Sequence, residues 1–157
     1  MDSLSVAPYH VNMLDQKNPA ELEESIELFF FAYRAFTSRP DRMLEQRGLG
    51  RVHHRILHFV GRNPQIAVKD LLGILGVSKQ ALNAPLRQLV EMKLVSVELA
   101  EHDRRVKQLS LSEAGSQLEK QLTGTQMKHL AATFAAAGAQ AEQGWRAVMR
   151  AIPEKSQ

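Results

Sequence analysis

Apolar residues recur along most of this chain at intervals of three and four. Leu22, Ile26, Phe29, Phe30, Tyr33 and Phe36 fall on one broad stripe, the spacing of an amphipathic helix. Asn18 is suited to cap that helix and Pro19 to open it, while Glu21, Glu23 and Glu24 complement its positive end. A stripe this wide has to be covered, either by the core or by a partner chain. The stretch TSRPDR at 37–42 should end this helix, and DRMLEQRG at 41–48 should form a short helical piece of its own. In GRVHHRILHFVGRNP, residues 50–64, the core-facing positions are Val52, Ile56, Phe59 and Val60. QIAV reads as a short extended piece, and VKDLLGILGVS as a two-turn helix closed by a tight turn at Gly76.

Ser78 is an N-cap residue for the following stretch, SKQALNAPLRQLV, in which Leu82, Leu86 and Leu89 share one helical face. Pro85 lies in its middle, and an interior proline costs about 3 kcal/mol. Either a shortened helix starts at Asn83, with Pro85 in its first turn, or one helix runs from Lys79 to Met92 and bends at Pro85. The leucine stripe keeps its phase across the proline and favours the single helix. Farther on, LVSVEL and VKQLSL alternate with period two around the polar link AEHDRR, the pattern of a β-hairpin. Ser112 caps a long helix through Ala137, Gly138 interrupts it, and QAEQGWRAVMRAI forms the last helix.

Charge is distributed unevenly. Arg39–Lys107 carries 13 Lys and Arg against 7 Asp and Glu, whereas residues 1–38 carry 2 against 6. A basic centre is the electrostatic footprint of a polyanionic partner. There is no cysteine, which excludes disulfides, thiolate metal sites and thiol redox chemistry, and a reducing cytoplasm is the expected location. No apolar run reaches the length of a membrane span, and the first residues lack the pattern of a signal peptide. Gly-x-Ser-x-Gly and phosphate-loop motifs are both absent, so no enzyme activity and no cofactor are expected.

Helix, tight turn, helix and charged hairpin make a winged helix-turn-helix. On the second helix, Gln80, Asn83, Ala84, Arg87 and Glu91 lie opposite the leucine stripe. Gln and Asn suit adenine edges, Arg suits guanine or phosphate, and Ala suits a thymine methyl. Ser78 and Lys79 stand at the helix N-terminus, a favourable place for a phosphate. Arg104, Arg105 and Lys107, at the tip of the hairpin, suit a minor groove or the sugar–phosphate backbone. The competing readings are a solvated polar face and a hairpin charged for solubility.

The sequence VKDLLGILGVSKQALNAPLRQLVEMKLVSVELAEHDRRVKQLSLSEAG resembles the DNA-binding core of the multiple-antibiotic-resistance-regulator (MarR) family. The wing DRRVKQLSLSEAG carries much of the likeness, which covers about Gly50 to Leu122. It implies a mainly α fold with a small β-wing, divided into a flexible arm at 1–18, a dimerisation helix and linker at 19–48, a winged helix-turn-helix domain at 50–112 and dimerisation helices at 113–157. It further implies a bacterial homodimeric repressor that binds double-stranded DNA at a palindromic operator and is released by a small aromatic effector. In this pattern Asp103 orients Arg105, and Gln80, Asn83, Ala84 and Arg87 match recognition-helix positions. Two positions depart from it: Pro85, and Lys93 where a glycine is expected in the turn before the first wing strand.

His54 and His58 share a helical face, but no neighbouring Asp, Glu or Cys in sequence completes a metal set, so no metal is expected. They are instead candidate effector-binding residues together with Phe30 and Tyr33, against the simpler alternatives of surface and dimer-core roles. His53, on another face, is expected to meet a cleft or a partner chain. A ligand-free architectural DNA-binding protein and a winged-helix protein–protein adaptor remain the alternatives.

Overall fold

A computed structural model describes residues 18–153, which divide between Ser38 and Arg39 into two compact units. Residues 1–17, most of the expected arm, lie outside the described residues. Helix α1 spans Pro19–Glu45, with the Asn18 side chain accepting the Ala20 N–H at 2.9 Å. The expected break at TSRPDR does not occur, because α1 continues through Pro40. The Thr37 hydroxyl donates to the Tyr33 carbonyl at 2.9 Å and the Ser38 hydroxyl to that of Ala35 at 3.0 Å. These hydroxyls therefore bond back into their own helix rather than capping a new one. Pro40 is buried, and tertiary packing offsets the missing backbone bond. Phe29, Phe30, Phe31 and Ile26, on the first part of α1, are exposed.

In the unit that begins at Arg39, α2 spans Arg51–Arg62, β1 Ile66–Ala67, α3 Val68–Leu75 and α4 Lys79–Glu91. Strands β2 (Val95–Leu99) and β3 (Lys107–Leu111) form the hairpin, and helices α5 (Glu113–Ala137) and α6 (Ala139–Ala151) follow. The sheet is antiparallel in the order β1-β3-β2, with Ile66 opposite Leu109, Val97 opposite Leu109 and Val95 opposite Leu111. Placing β1 against β3 brings the start of the helix-turn-helix to the base of the hairpin. Leu109 is fully buried there, in one core with Leu44, Ile56, Leu57, Val60, Leu71, Leu82, Leu89 and Leu122.

Three local features set the angles between these elements. Gly76 ends α3 at φ 65°, in the left-handed region, and its N–H bonds the Leu72 carbonyl. Lys93 occupies the same region at φ 60°, in the turn where the family pattern has glycine. Gly115 allows α5 to cross tightly over the preceding turn, since a Cβ there would lie 1.9 Å from the Leu94 carbonyl oxygen. Ser112 ties the junction together: its hydroxyl oxygen accepts the Gly115 N–H at 3.0 Å while its O–H donates to the Lys93 carbonyl at 2.7 Å. The cap expected from sequence is thus present, and it also holds the left-handed turn.

Candidate nucleic-acid interface

Helix α4 is continuous across Pro85, which rules out a late start at Asn83. The Ser78 hydroxyl oxygen accepts the Ala81 N–H at 3.1 Å, so the cap lies where the sequence placed it. Leu82 and Leu89 are buried, Leu86 is half-buried, and Pro85 sits at the margin of this face. Ser78, Lys79, Gln80, Asn83, Ala84 and Arg87 are all exposed. One helix therefore separates its two faces cleanly, with leucines anchoring it in the core and amide, guanidinium and ammonium groups directed outward.

The wing tip is ordered by its own charges. Arg105 donates from its backbone N–H and its Nε to Asp103 Oδ1, at 3.0 and 3.1 Å, and from Nη2 to Oδ2 at 3.3 Å. The fork matches the two carboxylate oxygens and fixes the guanidinium plane. Its donors hold the Asp103 carboxyl below the usual carboxylate range. Even so, the Arg105 side chain is 91% exposed, so it is oriented without being covered. Arg104 and Lys107 are exposed beside it. The tight loop is closed by Ala100 N–H to the Val106 carbonyl at 2.9 Å and Val106 N–H to the Asp103 carbonyl at 3.0 Å.

Between α4 and the wing lies an open groove of about 400 Å³. Leu86, Val90, Val97 and Leu109 contribute its apolar lining, with Asn83, Arg87, Glu91 and Lys107 among the polar residues. The structure thus brings Asn83 and Arg87 of the helix to one groove with Lys107 of the wing.

Of the histidines on α2, His53 differs from expectation. His53 is 8% exposed and bonds within the domain rather than meeting a cleft or partner, with Nε2 2.9 Å from Gln88 Oε1 of α4. His58 Nδ1 lies 3.2 Å from Glu119 Oε1, and His54 Nε2 lies 3.3 Å from Thr123 Oγ1. The Thr123 hydroxyl donates to Glu119 Oε1 at 2.7 Å. Sequence proximity missed Glu119 because it arrives from α5, and the only hint was its i,i+4 relation to Thr123. Burial, and next the neighbouring His58, push His54 below the usual imidazole value of about 6.5. No group of three or more metal-ligating side chains forms a metal site among the described residues. Phe30 and Tyr33 lie on the first part of α1, where Phe30 meets Phe31 edge-on at 5.4 Å.

A model of the MarR family matches residues 47–106. The HTH-type transcriptional regulator PetP of Rhodobacter capsulatus is 44% identical over 132 residues, covering 84% of this chain and 80% of that protein. Among solved structures, MarR of Staphylococcus aureus in complex with salicylate and kanamycin aligns with a TM-score of 0.71 at 21% identity, over 85% of this chain and 91% of that one. NadR in complex with 4-hydroxyphenylacetate aligns at 0.67 and 18% identity, over 80% and 91%. The S. aureus MepR–DNA complex aligns at 0.61 and 18% identity, over 78% and 90%.

Proposed function

The chain belongs to the MarR family of DNA-binding transcriptional regulators, and from that premise we propose that it is a homodimeric repressor that reads a palindromic operator. The observation that carries this reading is the pairing of two surfaces. An outward polar face on α4 adjoins a wing whose arginine is fixed by Asp103 and left open to solvent. In the proposed complex α4 enters the major groove. Gln80 and Asn83 read adenine edges, Arg87 a guanine or a phosphate, and Ala84 a thymine methyl. Ser78 and Lys79 hold a phosphate at the helix N-terminus. Arg104, Arg105 and Lys107 follow the backbone or enter the adjacent minor groove, with Asp103 presenting Arg105.

Two copies are joined through the exposed apolar residues of α1 and through those of the C-terminal helices, Met127, Trp145, Val148 and Ile152. Dimer symmetry then sets the half-site spacing at about one helical turn, ~34 Å. Control by a small aromatic acid is part of the same proposal, and it draws support from the ligands of the S. aureus MarR and NadR structures. His54 and His58 are the residues of this chain assigned to that ligand. Such a ligand must bind the DNA-competent and incompetent states unequally to have any effect.

Selection from random DNA duplexes tests the proposal. The bound pool should converge on a two-fold symmetric sequence with centres about one turn apart. An asymmetric single site, or a pool with no preferred sequence, contradicts it. Adding salicylate or 4-hydroxyphenylacetate to the selected complex should release the DNA, and an unchanged complex removes the effector from the account.

A further inference from the structure

Gln88 sits on the flank of α4, between the buried leucines and the polar face, and its side chain is half-buried. Its amide bridges two other elements. Oε1 faces His53 Nε2 of α2 at 2.9 Å, and Nε2 donates to the Gly48 carbonyl at 3.2 Å, in the loop joining α1 to α2. The other imidazole nitrogen, His53 Nδ1, receives the Gly50 N–H at 2.9 Å, in the same loop.

The proton positions follow from these partners. A backbone N–H only donates, so Nδ1 must be the unprotonated nitrogen. The neutral ring then carries its proton on Nε2 and donates it to Gln88 Oε1, which leaves the Gln88 amide nitrogen to donate to Gly48. Every group in the chain Gly50–His53–Gln88–Gly48 has its partner in one arrangement only. A rotation of α4 about its axis, or a shift of the 46–50 loop, breaks at least one of these bonds, and the two made by the buried His53 ring are part-buried and so the costlier to lose.

We infer that His53 and Gln88 are positioning residues that fix the rotation of α4 against the 46–50 loop, and thereby the angle at which Asn83 and Arg87 meet base edges. Neither residue touches the bases. Base hydrogen bonds depend on angle, whereas phosphate attraction depends mainly on charge and distance. Loss of the link therefore lowers selectivity more than it lowers total DNA affinity. The same link carries a displacement of the 46–50 loop directly to the recognition helix. The inference rests on the assignment of α4 as the DNA-reading helix.

Three substitutions test it in the full-length protein. In Gln88→Met the shape is kept and the amide lost. Asn at 53 retains an acceptor near the Nδ1 position, and Gln at 53 retains a donor near the Nε2 position. Gln88→Met and His53→Asn should each reduce the ratio of operator to scrambled-duplex affinity about tenfold, ~1.4 kcal/mol, with the salt dependence of scrambled-duplex binding unchanged. His53→Gln should recover most of the ratio. Retention of the wild-type ratio in both Gln88→Met and His53→Asn overturns the inference. So does an equal loss in His53→Asn and His53→Gln, which marks a purely structural role. Nitrogen-15 spectra of the DNA-free protein supply an independent measure. They should show the proton of His53 on Nε2, and His53→Asn should move the amide resonances of Asn83, Ala84, Leu86 and Arg87. The opposite tautomer, or unmoved resonances, contradicts the link itself. Absence of any sequence preference in the wild type would instead defeat the DNA-reading assignment of α4.

Discussion

At residue 105 a guanidinium is held by a carboxylate and still faces solvent, an arrangement that serves an external anion better than it serves stability. Exposed ion pairs contribute little to folding, so Arg105→Ala should leave the melting temperature and the dimer intact. Operator affinity, by fluorescence anisotropy, should fall at least tenfold, and unchanged affinity would remove the wing from the interface. Lys93 bears on stability instead. At φ 60° a lysine is strained where glycine is not. Lys93→Gly should be neutral or stabilising by up to about 1 kcal/mol in urea titrations, and a loss of more than about that amount contradicts the strain argument. His54 sets a pH dependence. Its folded-state pKa is lowered, by burial first and by His58 second. Above the unfolded value of about 6.5 both states are neutral and stability is complete. As pH falls below that value the unfolded state takes up protons first, and stability declines until the folded value is passed. His54→Gln should flatten the decline in melting temperature between pH 7.5 and 5.5, values chosen to bracket about 6.5, and an unaltered decline would assign it to other groups. The sequence exposed the first two of these residues and obscured His53, since a histidine on a helix carries no mark of the glutamine 35 positions later that will bond it.

At the level of elements, the junction between wing and α5 is the least tolerant place identified. Gly115→Ala would force a methyl group onto the Leu94 carbonyl, destabilising the domain by about 3 kcal/mol or more. Ser112→Ala removes the cap and the Lys93 bond, at about 1–2 kcal/mol. Thermal unfolding of both variants checks the order, and a tolerated alanine at 115 would mean the close crossing is wrong. The two interior prolines show how far the pattern reached. Across Pro85 the leucine stripe kept its phase, and the continuous helix followed from it. Near Pro40, Thr, Ser and Pro together carried every mark of a helix end, yet α1 continues. What decided the second case was back-bonding by Thr37 and Ser38 and burial of Pro40, and neither can be read from periodicity. The short β1 was legible as an extended piece, and its pairing with β3 was not, because register across more than forty residues is a tertiary choice.

For the whole molecule, the apolar residues exposed on α1 and α6 are the surfaces assigned to the proposed homodimer. Phe30 is 59% exposed, and Phe30→Glu should shift the dimer toward monomer in sedimentation while the winged domain stays folded. Operator binding should weaken with it, because each monomer holds only one half-site. A dimer that survives this change would place the interface elsewhere. The central claim, that the α4 face and the wing together grip DNA by charge and read it by shape and base edges, is tested most directly by measuring operator and scrambled-duplex affinity across a salt series. Phosphate neutralisation predicts a linear fall of log K with log salt, of slope about −0.9 per contacted phosphate. The operator should stay preferred at every salt concentration, and Arg105→Ala should flatten the slope by about one contact. A flat response, or equal affinity for the two duplexes throughout, would contradict the account.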